Sequence, residues 1–182
     1  MTQTITIPRN KKLIQLTTIS LSQKIAAPVK QVWEVISTPG HLAYCHPFCD
    51  KNPVENWSGV GSQDTVYFYS GKLLNRYAKE WIKDVGYDLH LTFPNLDTEA
   101  EAIFRISPCP EKTNSILSIT LIINVPQYFP WYFRLILSYF IMRPSLTKYL
   151  DSVLKGFEYY ITTRKAVERN QFGSHSFFSY EG

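Results

Sequence analysis

The chain has 182 residues, 45% hydrophobic and 19% charged, which suits one domain with a real core and excludes a largely disordered polypeptide. A net charge of +4 without a basic block offers nucleic acid no surface, because that partner needs clustered Lys and Arg. Three cysteines cannot build a secreted disulfide scaffold, so a reducing, cytoplasmic setting is expected.

The start of the chain, MTQTITIPRNKK, is polar, is interrupted by Pro8 and lacks the apolar run of a signal peptide. Residues 1–16 therefore read as an N-terminal arm. Ile19, Leu21 and Ile25 give residues 17–25 a partial period of two, which predicts a first strand. Pro28 suits a first helical position, and Val29, Val32, Trp33 and Ile36 recur at i, i+3, i+4, i+7. That spacing predicts a short helix with Trp33 buried. Pro39-Gly40 ends it, and residues 41–48 hold a second helical turn.

Strands are then predicted over 52–57, 64–70, 74–82, 87–93, 99–106 and 115–125, joined by short turns such as Gly71-Lys72 and Asp84-Val85-Gly86. Such a run suggests an antiparallel meander with one buried face. After Pro126 the chain is predicted helical to Glu168, with a break at Arg143-Pro144. Leu146, Tyr149, Leu150, Val153, Leu154, Phe157 and Ile161 line one face of that last helix. Residues 170–182 read as a C-terminal tail.

The only large apolar surface left to cover a curved sheet is the last helix. The fold class is therefore α+β: a curved antiparallel sheet of about seven strands wrapped around a long C-terminal helix, with short helices after the first strand. Aromatic residues make up 15% of the chain (4 Trp, 12 Tyr, 11 Phe), a surplus that favours a wide apolar interior or a cavity.

This order resembles the START-like, helix-grip superfamily (SRPBCC), which includes polyketide cyclase/dehydrase-like proteins and lipid-transfer domains. The resemblance lies in the strand 19–25, in Ala27-Pro28 followed by Val32-Trp33-Glu34-Val35-Ile36, and in His46-Pro47-Phe48, Gly59-Val60-Gly61-Ser62 and Gly71. It closes on Leu150, Leu154, Gly156 and Glu158-Tyr159-Tyr160, so the START-like domain spans 17–169. The segment 127–142 departs from the pattern, being longer and greasier than the usual link into the last helix.

The resemblance implies a cavity between sheet and helix that binds, and in some members transports, a hydrophobic small molecule such as a lipid, isoprenoid or polyketide. The inward positions of the strands and last helix nominate Phe68, Tyr77, Trp81, Leu89, Leu91, Phe104, Leu117, Ile119, Leu154 and Phe157 as its wall. Arg76 and Glu80 share a strand face some 13 Å apart by strand rise, too far to pair, and either would orient a polar ligand head. The alternative is a cyclase/dehydratase-type enzyme using the same cavity, for which no catalytic residue is nominated. A buried ionisable group with a strongly shifted pKa separates the two readings.

No cofactor is expected, since neither a G-x-S-x-G elbow nor a G-x-x-x-x-G-K-[ST] loop occurs. His41, Cys45, His46 and Cys49 are metal-ligand types, but Cys45 and His46 are adjacent and point apart, and no second ligand pair occurs elsewhere, so no metal is expected. Residues 127–142 are apolar nearly all round and too short to span a bilayer, which takes about 20 residues. The alternatives for this segment are extra core, a mobile lid, a membrane contact or a dimer contact. As an entrance element, Tyr128, Trp131, Tyr132, Leu135 and Tyr139 would touch the ligand and a membrane surface or a second copy of the chain, with Arg134 at the wet edge.

Overall fold

The computed structural model describes residues 13–94, 99–126 and 130–179. β1 (Leu13–Ile25) begins earlier than its alternation suggests. It pairs along its length with β8 (Ser115–Pro126), and a bulge between Gln15 and Thr17 shifts its phase. A phase shift hides the first residues from a period-two reading.

α1 (Val29–Ile36) buries Val32, Trp33, Val35 and Ile36. Trp33 meets Trp81 edge-on at 5.5 Å, as its place on the apolar stripe predicts. α2 (Leu42–Cys45) follows, then β2 (Cys49–Lys51), β3 (Val54–Asn56), β4 (Gln63–Phe68), β5 (Leu73–Ile82), β6 (Gly86–Thr92) and β7 (Glu99–Pro108). The curled antiparallel sheet has the order β1-β8-β7-β6-β5-β4-β2, with β3 also paired to β4.

The helical C-terminal part starts as α3 (Trp131–Ile136), widens into a π-helical stretch (Leu137–Met142) and continues as α4 (Arg143–Thr163). There is no break at Arg143-Pro144. Pro144 lies in the first turn of α4, and the Arg143 N–H reaches back five residues to the Ser138 carbonyl. A wider turn accommodates a proline that has no donor and crowds the carbonyl four residues before it. The helix ends at Thr163, short of Glu168, because Arg164 turns left-handed at φ 58°.

α4 buries Leu146, Leu150, Val153, Leu154, Phe157 and Ile161 and packs on β1, α1 and α2. Gly156 permits the closest approach: a Cβ there would lie 2.2 Å from the Cys45 carbonyl oxygen. Any side chain would push α4 off the α2 corner.

Residues 170–179, read as tail, pack against this end of the molecule. The Asn170 N–H bonds the Pro47 carbonyl at 3.1 Å, the Ser70 N–H bonds the Phe178 carbonyl at 3.1 Å, and Phe178 is buried. Its ring lies 4.4 Å from Tyr149 and 4.7 Å from Phe68. The partners of its aromatics are distant in sequence, so no local pattern marks these contacts.

Candidate ligand cavity

Between the concave face of the sheet and α4 lies a cavity of about 40 Å³. The sheet supplies Val66, Phe68, Leu74, Arg76, Leu89, Leu91, Ala102, Phe104, Ile119 and Leu121 to its wall. α4 supplies Tyr149, Leu150, Val153 and Phe157, and the α2 corner supplies Leu42 and His46. Strand alternation sends these sheet residues inward, as the buried–exposed pattern of β4 and β6 records.

Six nominated residues, Phe68, Leu89, Leu91, Phe104, Ile119 and Phe157, line the cavity. Leu117 and Leu154 are buried outside its wall. Trp81 also faces inward, but into an aromatic cluster: it stacks on Tyr87 at 5.1 Å and meets Trp57 edge-on at 5.5 Å. Tyr77 is corrected outright. It lies between buried Arg76 and Ala78 on the strand and so points to the opposite, exposed face.

Arg76 and Glu80 part company for a related reason. A bulge between Ala78 and Glu80 inverts the strand's phase. Arg76 is buried at the cavity wall, whereas Glu80 is on the surface, 3.3 Å from Arg105. The Arg76 Nε–H donates to Asp64 Oδ1 at 2.7 Å, and Nη2 bonds the other carboxylate oxygen. Asn52 Nδ2 donates to Asp64 Oδ2 at 2.9 Å. Burial alone would raise the Asp64 pKa, but the Arg76 charge and these hydrogen bonds hold it below the usual carboxylate range. Arg76 correspondingly keeps its proton, with Asp64 outweighing the cost of burial. Asp64 was missed, although it shares the inward phase of Val66 and Phe68 and sits directly opposite Arg76 in the register.

His46 and Tyr149 were also missed as wall residues. His46 Nε2 lies 3.0 Å from the Tyr149 hydroxyl, and the Phe48 N–H donates to His46 Nδ1 at 3.2 Å. Burial, helped by the Arg76 charge, lowers the His46 pKa to about 3, so the ring is neutral. Burial raises the Tyr149 pKa, so its hydroxyl keeps its proton. Tyr149 is wedged between Phe48, at 5.8 Å, and Phe178. It stood on the apolar face read from the sequence, but a contact 103 residues away leaves no local signal.

The His/Cys cluster does not converge. His41 Nδ1–H donates to the Thr38 carbonyl at 2.8 Å, and the Cys45 thiol reaches the His41 carbonyl at 3.1 Å. Among the described residues no group of three or more His, Cys, Asp or Glu is placed to hold a metal. Burial pushes the Cys49 thiol up to about 12.

At the expected mouth, Tyr128 lies outside the described residues, as do the side chains of Trp131, Arg134 and Leu135. Tyr132 is 57% and Tyr139 65% exposed, and neither lines the cavity. Ile136, Phe140 and Ile141 are exposed beside them. Among the described residues no helix is long and apolar enough to cross a membrane.

A curled sheet closed by a long C-terminal helix defines a class, and comparison with solved structures agrees: the chain has the START-like, helix-grip fold. A START superfamily protein from Mycobacterium smegmatis superposes with a TM-score of 0.60 at 12% identity, over 81% of this chain and 99% of that one. A norcoclaurine synthase point mutant from Thalictrum flavum, bound to a transition-state analogue, gives 0.58 at 17% identity, over 80% and 95%. DynU16, from the dynemicin biosynthetic locus, gives 0.62 at 14%, with 84% of this chain covering 51% of that one. No family model and no curated protein matches the sequence.

Proposed function

We propose that the chain binds a hydrophobic small molecule between its sheet and α4. The observation that carries this reading is a wall that is apolar everywhere except at His46, Arg76 and Tyr149, the composition of a ligand site with a few orienting groups. The cavity of about 40 Å³ holds roughly three waters. Known ligand pockets run to about 300–1,000 Å³, so a lipid, isoprenoid or polyketide enters only if the wall moves. Residues 170–179 cover Phe68 and Tyr149 through Phe178.

The cyclase/dehydratase reading is weaker. A general acid or base works best with a pKa near the operating pH. His46 is held neutral at about 3 and Tyr149 is held protonated, so neither exchanges a proton readily near pH 7. Their chemistry suits positioning. Native mass spectrometry of the chain purified from its host tests the reading: a retained apolar adduct supports it. An empty protein that also binds no added apolar probe in an NMR titration overturns it.

A second reading, contact with a membrane surface, rests on the exposed stripe of Ile136, Tyr139, Phe140 and Ile141. Aromatic residues suit the interface of a bilayer, and residues 127–150 contain Arg134, Arg143 and Lys148 with no acidic residue. Co-sedimentation with vesicles containing phosphatidylserine tests it. Binding that Tyr139→Ser/Phe140→Ser abolishes supports the contact. Unchanged binding, or dimerisation lost in that variant, removes it in favour of no contact or of a second copy of the chain.

A further inference from the structure

We propose that the polar end of the cavity takes one neutral hydrogen-bond acceptor, the carbonyl oxygen of a ketone, aldehyde or ester, from the Tyr149 hydroxyl. This rests on the ligand-binding reading above and names the chemistry of the head group.

The argument starts at His46. Its Nδ1 accepts the Phe48 backbone N–H at 3.2 Å, so the proton of the neutral ring is on Nε2. The Nε2–H therefore donates to the Tyr149 oxygen across 3.0 Å. That leaves the phenol's own hydrogen with no acceptor among the described residues, at a wall whose other polar groups are His46 and Arg76. The ring is held in place by stacking on Phe48 and by the tilted Phe178 ring against its other side. A donor fixed in this way is left unsatisfied by a hydrocarbon and satisfied by a carbonyl.

The same geometry disfavours an anion. Arg76, the cation at the wall, spends two N–H groups on Asp64, so the pair is neutral. A carboxylate ligand would bring a net negative charge into apolar surroundings with no free counter-charge, which is costly. A carbonyl brings no charge.

Three small probes of similar size separate the alternatives: cyclopentanone, methylenecyclopentane and cyclobutanecarboxylate, titrated into the full chain by ¹H–¹⁵N NMR. The ketone is expected to bind about five- to tenfold tighter than its hydrocarbon isostere, the value of one hydrogen bond, and to lose that advantage in Tyr149→Phe. The hydrocarbon's affinity should be the same in both proteins. Infrared spectroscopy on the wild type gives a readout independent of the variant's folding: the bound ketone's carbonyl stretch should fall below its value in hexane. Equal affinity for ketone and hydrocarbon, or an unshifted stretch, overturns the inference while leaving the apolar site intact. Tightest binding by the carboxylate overturns it in favour of Arg76 as the reader of the head group. Failure of all three probes to bind removes the ligand reading itself.

Discussion

Tyr139 and Tyr149 lie ten residues apart on a nearly continuous helix, Tyr139 in the more apolar stretch beside Phe140 and Ile141 and Tyr149 between Lys148 and Leu150. Tyr139 is 65% exposed, whereas Tyr149 is wedged between rings and bonded to His46. The side chains are identical, so the difference lies in what the rest of the chain leaves to cover. α4 packs on β1, α1 and α2, and residues 170–179 close over its first turns. The stretch before it meets β1 and packs Met142 against the core, but leaves Ile136, Tyr139, Phe140 and Ile141 exposed. Apolar periodicity records that a face wants burial; the geometry of the sheet decides which face obtains it.

Acid should break the buried end hardest. His41 and His46 both have pKa values lowered to about 3 by burial first and the Arg76 charge second. The unfolded chain, with His near 6.5 (roughly), then binds more protons than the native state below that pH. Stability should therefore fall from pH 6.5 towards 3, by about 1.4 kcal/mol per pH unit for each histidine. Asp64, whose pKa is depressed, adds a further loss as pH falls through the carboxylate range. Urea denaturation at several pH values checks this; a flat profile between pH 6.5 and 4 would refute neutral burial of the histidines.

Breaking the Asp64–Arg76 pair comes next. Asp64→Ala strands a buried guanidinium and should cost about 3–5 kcal/mol. The double change Asp64→Leu/Arg76→Leu should cost clearly less, because no charge is left alone. Equal losses would show that packing, and not charge pairing, governs this end.

Gly156→Ala sharpens the comparison from the α4 side. With 2.2 Å available to a Cβ against the Cys45 carbonyl, the helix must shift, at about 1–3 kcal/mol for an overpacked contact. The His46–Tyr149 bond should loosen with it, visible as a changed His46 ring signal by NMR. The smallest effect belongs to the exposed stripe. Tyr139→Ser/Phe140→Ser should leave stability within about 0.5 kcal/mol of wild type, as exposed positions do, and a loss beyond 2 kcal/mol would place those rings in the core.

The helix-grip order of elements was legible because each element carries its own local record. Val29, Val32, Trp33 and Ile36 announce α1, Leu89 and Leu91 announce β6, and short polar turns join strands that pair as neighbours. Two departures came from bulges, which cost one residue and reverse every later side chain: one hid the start of β1, and the other separated Arg76 from Glu80. The aromatic surplus was legible as a number but not as an arrangement. Much of it fills space, in the Trp33–Trp57–Trp81–Tyr87 cluster and in the stack around Tyr149, so the cavity is small.

By itself the sequence determined the strands, the amphipathic face of α4 and the inward phase of most wall residues, because backbone geometry sets periods of two and 3.6. Only the tertiary structure decided that His46 meets Tyr149, that Asp64 neutralises Arg76 and that Phe178 closes over both Phe68 and Tyr149. Those contacts join segments far apart in the chain, and their energy depends on burial and charge balance that exist only once sheet and helix have come together.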